Sequence, residues 1–114
     1  MDYLVLNQNE LASDGGTVEW EGSQFGDTNG SLILVNLAPG EGPRLHRHPY
    51  PEIFIVHEGQ ATYTVGSTTL TVQAGQIVVV SAGVAHKFVN SGQGKLRQSD
   101  IHLSKQFVTE WLES

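Results

Sequence analysis

The sequence predicts an all-β fold, a sandwich or barrel of about nine short antiparallel strands, followed by one short helix at the C-terminus. Three observations predict it. Thirteen glycines occur in 114 residues, and they separate short runs that are rich in Val, Ile and Thr. Apolar and polar residues alternate within several of these runs, which is the period of a half-buried strand. A helical period of apolar residues occurs only near the end of the chain.

The predicted elements follow in chain order. Residues 3–6 are short and apolar, which predicts an edge strand, and the polar, glycine-ended residues 7–16 predict a loop. The nearly continuous apolar run at residues 31–37 is typical of a strand buried on both faces. The other strands are predicted at residues 17–25, 52–57, 60–65, 69–72, 76–80, 85–90 and 96–103.

The last segment changes period, and it predicts a helix over residues 105–113. Ser104 is a suitable N-cap because its hydroxyl oxygen can accept a hydrogen bond from an unpaired backbone N–H group. Phe107, Val108, Trp111 and Leu112 follow at helical spacing and form one apolar stripe. We expect this stripe to pack the helix onto the strands or onto a partner subunit.

Composition excludes several classes of protein. A chain of 114 residues predicts a single domain over residues 1–114. Cysteine is absent, which excludes disulfide scaffolds and thiolate zinc sites. The net charge is −6, and no Lys or Arg precedes Arg44, so we expect no nucleic-acid partner. No apolar run reaches the roughly 20 residues of a membrane helix, and the N-terminus lacks a signal-peptide pattern, so we expect no membrane partner and a cytoplasmic protein.

Four residues have the chemistry of a metal site. His46 and His48 point to the same side of an extended strand, and Glu52 follows after a proline-constrained link. His86 opens a later strand and supplies a fourth candidate ligand. Imidazole and carboxylate ligands suit Fe, Mn, Ni, Zn or Cu. Taken without other information, the trio at 46, 48 and 52 fits an ordinary polar surface about as well as a ligand set.

The spacing of the glycines around these residues favours the ligand set over the polar surface. The first motif spans residues 40–59 and reads Gly40, five residues, His46-Arg47-His48, three residues, Glu52, six residues, Gly59. The second spans residues 75–90 and reads Gly75, five residues, Ser81-Ala82-Gly83, two residues, His86, three residues, Asn90. In both motifs the chain resembles the cupin superfamily, and it departs only at Ser81, where the family usually has proline.

The resemblance implies a conical β-barrel, or double-stranded β-helix jelly roll, as the fold of the whole chain. It also implies one divalent transition metal held inside by His46, His48, Glu52 and His86. Cupins similar to this chain are commonly homodimers, and residues 3–6 or the terminal helix offer a surface for pairing. A small-molecule ligand is expected inside the barrel.

Two further residues are candidate catalytic groups. Tyr50 lies between the predicted ligands, and His102 lies on the strand at 96–103, so either side chain could serve as a general base beside the metal. Core packing for Tyr50 and solvent exposure for His102 are the alternatives. His57 has the opposite parity to Glu52 on its strand and is expected to lie outside the site.

Two functions of different classes fit these residues. The first is a metal-dependent enzyme acting on a small organic substrate, with dioxygenase- or isomerase-like chemistry. The alternative is a non-catalytic cupin that binds or senses a small molecule. The fold does not choose between them, because the same scaffold supports many chemistries.

Overall fold

Eleven short strands form two antiparallel sheets in the computed structural model, which describes residues 2–114. Their bounds are β1 Ala12–Asp14, β2 Thr17–Trp20, β3 Ser31–Leu37, β4 His46–Arg47, β5 Glu52–Glu58, β6 Gln60–Val65, β7 Thr68–Gln73, β8 Ile77–Val80, β9 His86–Asn90, β10 Leu96–His102 and β11 Glu110–Trp111. One sheet has the order β1-β2-β3-β10-β5-β8, and the other has the order β11-β4-β9-β6-β7.

The core follows from the side-chain alternation of these strands. On β5 the buried side chains are Glu52, Phe54 and Val56, and each has a partner on β10 that is also buried. The pairs are Glu52 with His102, Phe54 with Asp100, and Val56 with Gln98. The apolar core consists of Val35, Leu37, Phe54, Val56, Ala61, Tyr63, Val72, Val80, Phe88 and Leu96. The interior is therefore apolar in bulk, with buried polar side chains at the start of β5 and along β10.

The N-terminal region differs from the prediction. Residues 3–6 form no strand, and their apolar side chains are exposed. The predicted loop at residues 7–16 instead contains a short 3₁₀ turn, Gln8–Glu10, and strand β1. A hairpin joins β1 to β2 through Gly15, whose φ of +60° is readily adopted only by glycine. Backbone pairing with β2 therefore makes a strand of a segment whose composition is typical of a loop.

The predicted helix at residues 105–113 is absent, and this prediction was wrong. The segment runs extended, and its residues Glu110–Trp111 pair with His46–Arg47 as strand β11. An isolated helix of nine residues is marginal in water, so its propensity is easily overridden by contacts with the rest of the chain. Here the backbone of Val108 bonds to His48 and Tyr50, and β11 pairs with β4 at the edge of one sheet.

The sequence left a conical barrel and a double-sheet jelly roll as alternatives, and the described residues form two sheets with no closed barrel. Within residues 2–114 the edge strands are β1 and β8 in one sheet and β11 and β7 in the other. Where the chain passes from β7 to β8 it crosses between the sheets through a turn at Gly75, with no pairing between the two strands. The all-β prediction and the two-sheet arrangement are confirmed. No helix in the described part of the chain is long and apolar enough to cross a membrane.

Candidate metal centre

The strand pairing brings the four predicted ligands together. His46 on β4 lies directly opposite His86 on β9, while His48 follows β4 and Glu52 begins β5. All four side chains are buried, with exposed fractions between 2% and 7%. One potential ligand atom from each residue lies within 4.8 Å of the corresponding atoms of the other three. Residues separated by up to 40 positions in sequence thus converge on one point.

Backbone carbonyls orient the three imidazole rings. Because a carbonyl oxygen only accepts hydrogen bonds, each ring donates from Nδ1, and Nε2 of the neutral ring carries a lone pair. Metal-ligating histidines usually have such a partner on the nitrogen that does not bind the metal. The pairs are His46 Nδ1 with Arg44 O at 2.7 Å, His48 Nδ1 with Val108 O at 2.9 Å, and His86 Nδ1 with Val84 O at 2.9 Å.

The Glu52 carboxylate lies at the centre of the cluster. Its Oε1 is 3.0 Å from His48 Nε2 and 3.2 Å from His86 Nε2, and its Oε2 is 3.0 Å from His102 Nε2. Burial opposes ionisation of this carboxyl group, but the hydrogen bond from His102 and the contact with His86 outweigh burial and hold the pKa of Glu52 well below its usual range. The site therefore contains a buried carboxylate.

One atom of the cluster lacks a partner. His48 Nε2 is buried without a hydrogen bond, although Glu52 Oε1 is only 3.0 Å away. Two atoms that bind the same ion at roughly 2.1 Å, with a right angle between their bonds to the ion, lie about 3 Å apart. A lone pair facing a carboxylate oxygen at this distance fits a shared cation better than it fits a hydrogen bond. Three imidazoles and one carboxylate form a donor set suited to a transition metal.

The pKa values of two imidazoles differ from the usual value for histidine. Burial lowers the pKa of His46 to about 4, so the ring is neutral at pH 7 and its Nε2 lone pair is free. Burial also opposes protonation of His86, but its hydrogen bonds with Glu52 and the Val84 carbonyl raise the pKa above its usual value. The carboxylate is therefore closely coupled to His86 and only weakly to His46.

Tyr50 and His102 lie behind the Glu52 carboxylate. The Tyr50 hydroxyl is 2.7 Å from His102 Nδ1, and it accepts a hydrogen bond from the backbone N–H of Val108 at 3.2 Å. Burial raises the pKa of Tyr50 to about 12, so the phenol keeps its proton at neutral pH. The hydroxyl therefore donates to His102 Nδ1, and His102 donates from Nε2 to Glu52 Oε2. His102 thereby fixes the outer oxygen of Glu52 and leaves Oε1 facing the three imidazoles.

Three of the ligand candidates, His46, His48 and Glu52, line a cavity of about 630 Å³. Phe54 and Phe88 form part of its apolar wall. Arg44 is the one cationic side chain among the described lining residues, and its guanidinium carbon lies 4.7 Å from the centre of the Trp111 ring. The carboxyl groups in the lining belong to Asp14, Glu19, Glu41, Glu52 and Asp100. A ligand in this cavity would meet candidate metal ligands and apolar side chains together.

His57 lies apart from this cluster. Its side chain is exposed on the face of β5 opposite Glu52, and its Nε2 is 2.8 Å from Ser99 Oγ. This position agrees with the parity argument. His57 therefore provides a matched histidine outside the site.

A chain of buried hydrogen bonds along β10 was not predicted from the sequence. The Tyr63 hydroxyl donates to Gln98 Oε1 at 2.9 Å, and Gln98 Nε2 donates to Asp100 Oδ1 at 2.8 Å. Asp100 is 4% exposed and lines the cavity. Burial, reinforced by the negative charge of Glu52, raises the pKa of Asp100 well above its usual value. Gln98, Asp100 and His102 alternate along one strand, but this polar face fitted solvent and the interior alike, so the sequence left both alternatives open.

The protonation of Asp100 makes stability depend on pH. With its raised pKa, native Asp100 keeps a proton that the unfolded chain releases above about pH 3.9. The native state then binds more protons than the unfolded state, so this group reduces stability as pH rises from about 4 towards its native pKa, by at most about 1.4 kcal/mol per pH unit. We expect Asp100→Asn to remove this dependence, so its stability relative to the unsubstituted protein should increase with pH.

Urea unfolding of both metal-free proteins between pH 4 and pH 8 measures this difference. Asparagine is a suitable replacement because it retains an oxygen acceptor for Gln98 and adds no charge. A stability difference that stays constant over this range would contradict a protonated Asp100.

Comparison with known proteins agrees with the fold. The family model described as "Cupin domain" matches residues 33–102, which include all four candidate ligands. An uncharacterized protein of Streptomyces coelicolor is 35% identical over 83 residues, which cover 73% of this chain and 75% of that protein. The HTH-type transcriptional regulator PuuR of Escherichia coli is 28% identical over 109 residues, which cover 91% of this chain and 58% of the regulator.

Solved structures show the same architecture. A structure of oxalate decarboxylase from Bacillus subtilis is 26% identical, with a TM-score of 0.77 over 89% of this chain and 29% of that chain. Another structure of the same enzyme concerns its Mn(II) centres. This chain thus spans a little under a third of the oxalate decarboxylase and more than half of the regulator.

Proposed function

Because the chain belongs to the cupin family, we propose that it binds one divalent first-row transition metal through His46, His48, Glu52 and His86. The observation that carries this proposal is the buried, unpartnered Nε2 of His48 beside Glu52, within a cluster of four potential ligand atoms. The proposed metals are Fe, Mn, Ni, Zn or Cu, all of which accept imidazole and carboxylate ligands. The Mn(II) centres of the Bacillus subtilis oxalate decarboxylase support this choice of metal class.

We further propose that the chain is a metal-dependent enzyme with an oxygenase- or isomerase-like reaction on a small organic molecule. A bound divalent metal would supply Lewis-acid activation of an oxygen-bearing substrate. Phe54 and Phe88 would exclude water from one side of that substrate, and protonated Asp100 would offer it a hydrogen-bond donor. Tyr50 and His102 were predicted as general bases, and their bonds to each other and to Glu52 support a role in holding the carboxylate.

An oxygen electrode tests the enzyme proposal. The protein is loaded separately with Fe(II) and Mn(II), and oxygen uptake is measured with catechol, oxalate and a 2-hydroxyketone as probes, with product analysis for isomerisation. We expect turnover of at least one probe, and we expect none from identically loaded His86→Ala. Absence of turnover with all three probes, together with saturable binding of one of them, would overturn the enzyme proposal.

The alternative is a cupin that binds or senses a small molecule without converting it. The similarity to a transcriptional regulator over 91% of this chain favours this alternative. Under it, calorimetry detects binding of a small molecule to the metal-loaded protein, and the same molecule is recovered unchanged after prolonged incubation.

We also propose that the chain forms a homodimer through residues 3–6. All four side chains of this segment are large, apolar and exposed, with Tyr3 at 72% and Val5 at 79%, and exposed apolar patches commonly mark interaction sites. Sedimentation equilibrium at micromolar concentration is expected to give the mass of a dimer, and Val5→Asp is expected to shift it towards the monomer. A monomeric unsubstituted protein would contradict the proposal.

A further inference from the structure

The segment after β10, residues 106–113, is named here the C-terminal strap and lies against the candidate metal centre. The Thr109 hydroxyl is 3.3 Å from His48 Nδ1 and the Trp111 ring packs on the ring of His46. The shortest hydrogen bonds to the site come from the two backbone groups of Val108. Its carbonyl oxygen accepts from His48 Nδ1 at 2.9 Å, and its N–H donates to the Tyr50 hydroxyl at 3.2 Å. The Val108 side chain is half exposed, so both hydrogen bonds of this residue to the site come from its backbone.

These two bonds fix the positions of two protons. The bond to the carbonyl places the His48 proton on Nδ1, which leaves the Nε2 lone pair facing Glu52 Oε1. The bond from the N–H group occupies a lone pair of the Tyr50 hydroxyl and directs its proton to His102 Nδ1. His102 must then donate from Nε2 to Glu52 Oε2. Val108 thus determines the orientation of one imidazole ligand and, through two side chains, that of the carboxylate.

The strap is held in place by contacts on the far side of the site. Its strand β11 pairs with β4, and Arg47 forms two hydrogen bonds with Glu110, at 2.7 and 3.1 Å. Both side chains of this ion pair are exposed, so the pair alone contributes little to stability. Leu112 N–H donates to the Leu45 carbonyl at 2.9 Å and extends the backbone pairing. Strand pairing therefore restrains the strap, together with the Glu113 carboxylate, which accepts from the Leu45 N–H at 2.8 Å, and the Phe107 N–H, which donates to Glu21 Oε2 at 2.9 Å.

We propose that the C-terminal strap is a positioning element of the metal centre and that the Val108 backbone sets the proton positions required for tight metal binding. This inference rests on the proposed metal function. The strap supplies no metal ligand, and it acts by orienting His48 and Glu52. Loss of a hydrogen-bond partner of a metal ligand typically costs about 10–100-fold in metal affinity. We expect a loss of that size when the strap is released.

Two variants of the full-length chain test the proposal. Glu110→Pro disrupts the β11–β4 pairing, and Glu110→Gln is its control because it removes the charge and keeps the backbone N–H. Val108→Pro removes the N–H group that bonds to Tyr50, and Val108→Ala is its control because it keeps both backbone groups. Binding of Mn(II) is followed by EPR of the free ion, and the His48 tautomer is followed by ¹⁵N NMR of the metal-free protein.

We expect both controls to bind Mn(II) within about twofold of the unsubstituted protein and both proline variants to bind it about tenfold more weakly or worse. We also expect Glu110→Pro to lose the Nδ1–H tautomer of His48. Unchanged affinity and an unchanged tautomer in folded proline variants would overturn the proposal. If the unsubstituted protein does not bind Mn(II), the proposed function fails for that metal, and the tautomer in Glu110→Pro still decides the role of the strap.

Discussion

Replacing His86 by alanine is expected to reduce the metal content of the protein from one ion per chain to almost none. His86 is the one candidate ligand on β9, whereas the others lie within residues 46–52. Removal of a direct ligand should weaken binding by more than the roughly 100-fold upper range for loss of a ligand's hydrogen-bond partner. Elemental analysis after identical loading and desalting measures this effect.

His57→Ala is the matched control for that experiment. It also removes one imidazole, but from an exposed position on the outer face of β5. We expect it to keep full metal content, and circular dichroism should show β structure in both variants because the apolar core includes neither histidine. Full stoichiometry and affinity in His86→Ala would mean that the four-residue site is wrong.

A second large effect is expected at Gly59, where alanine should destabilise the fold by more than about 4 kcal/mol. Gly59 has a φ of +89°, and a Cβ atom built there would lie 2.3 Å from the backbone oxygen of Lys95. The backbone of the turn and the start of β10 would both have to move. Urea unfolding measures the loss of stability, provided that the variant can be purified.

The same substitution at Gly75 separates the effect of the steric clash on stability from the effect of the backbone conformation. It has the same φ of +89°, but a Cβ atom there would meet nothing within 4 Å. We therefore expect Gly75→Ala to cost only about 1–2 kcal/mol, the usual penalty for a left-handed conformation. Equal losses at the two positions would show that the contact with Lys95 has no part in the effect.

The strands that pair with sequence neighbours were predictable because their patterns are local. The parity argument on β5 placed Glu52 inward and His57 outward, as the structure has them. The C-terminal segment could not be predicted in this way. The helical spacing of Phe107 and Trp111 is real, but bonds to residues about 60 positions away determine its extended conformation.

In the candidate site, too, the features set by local sequence were predictable and those set by distant contacts were not. The motif spacing identified the four side chains that converge, because turn glycines and strand parity fix where they point. It could not show that Tyr50 and His102 hold the Glu52 carboxylate, since that chain of hydrogen bonds depends on β10 lying beside β5. Asp100 was missed for a related reason. Its carboxyl group is buried with a raised pKa, and alternation alone does not separate an interior polar face from a solvated one.

An anomalous difference map of metal-loaded crystals would show whether the four side chains form one metal site. Data collected on either side of the absorption edge of the loaded metal would locate the ion. We expect a single peak per chain, about 2.1 Å from Nε2 of His46, His48 and His86 and from Oε1 of Glu52. A peak coordinated by His102 in place of one of these residues, or no peak within the cluster, would show that these four side chains do not form the site.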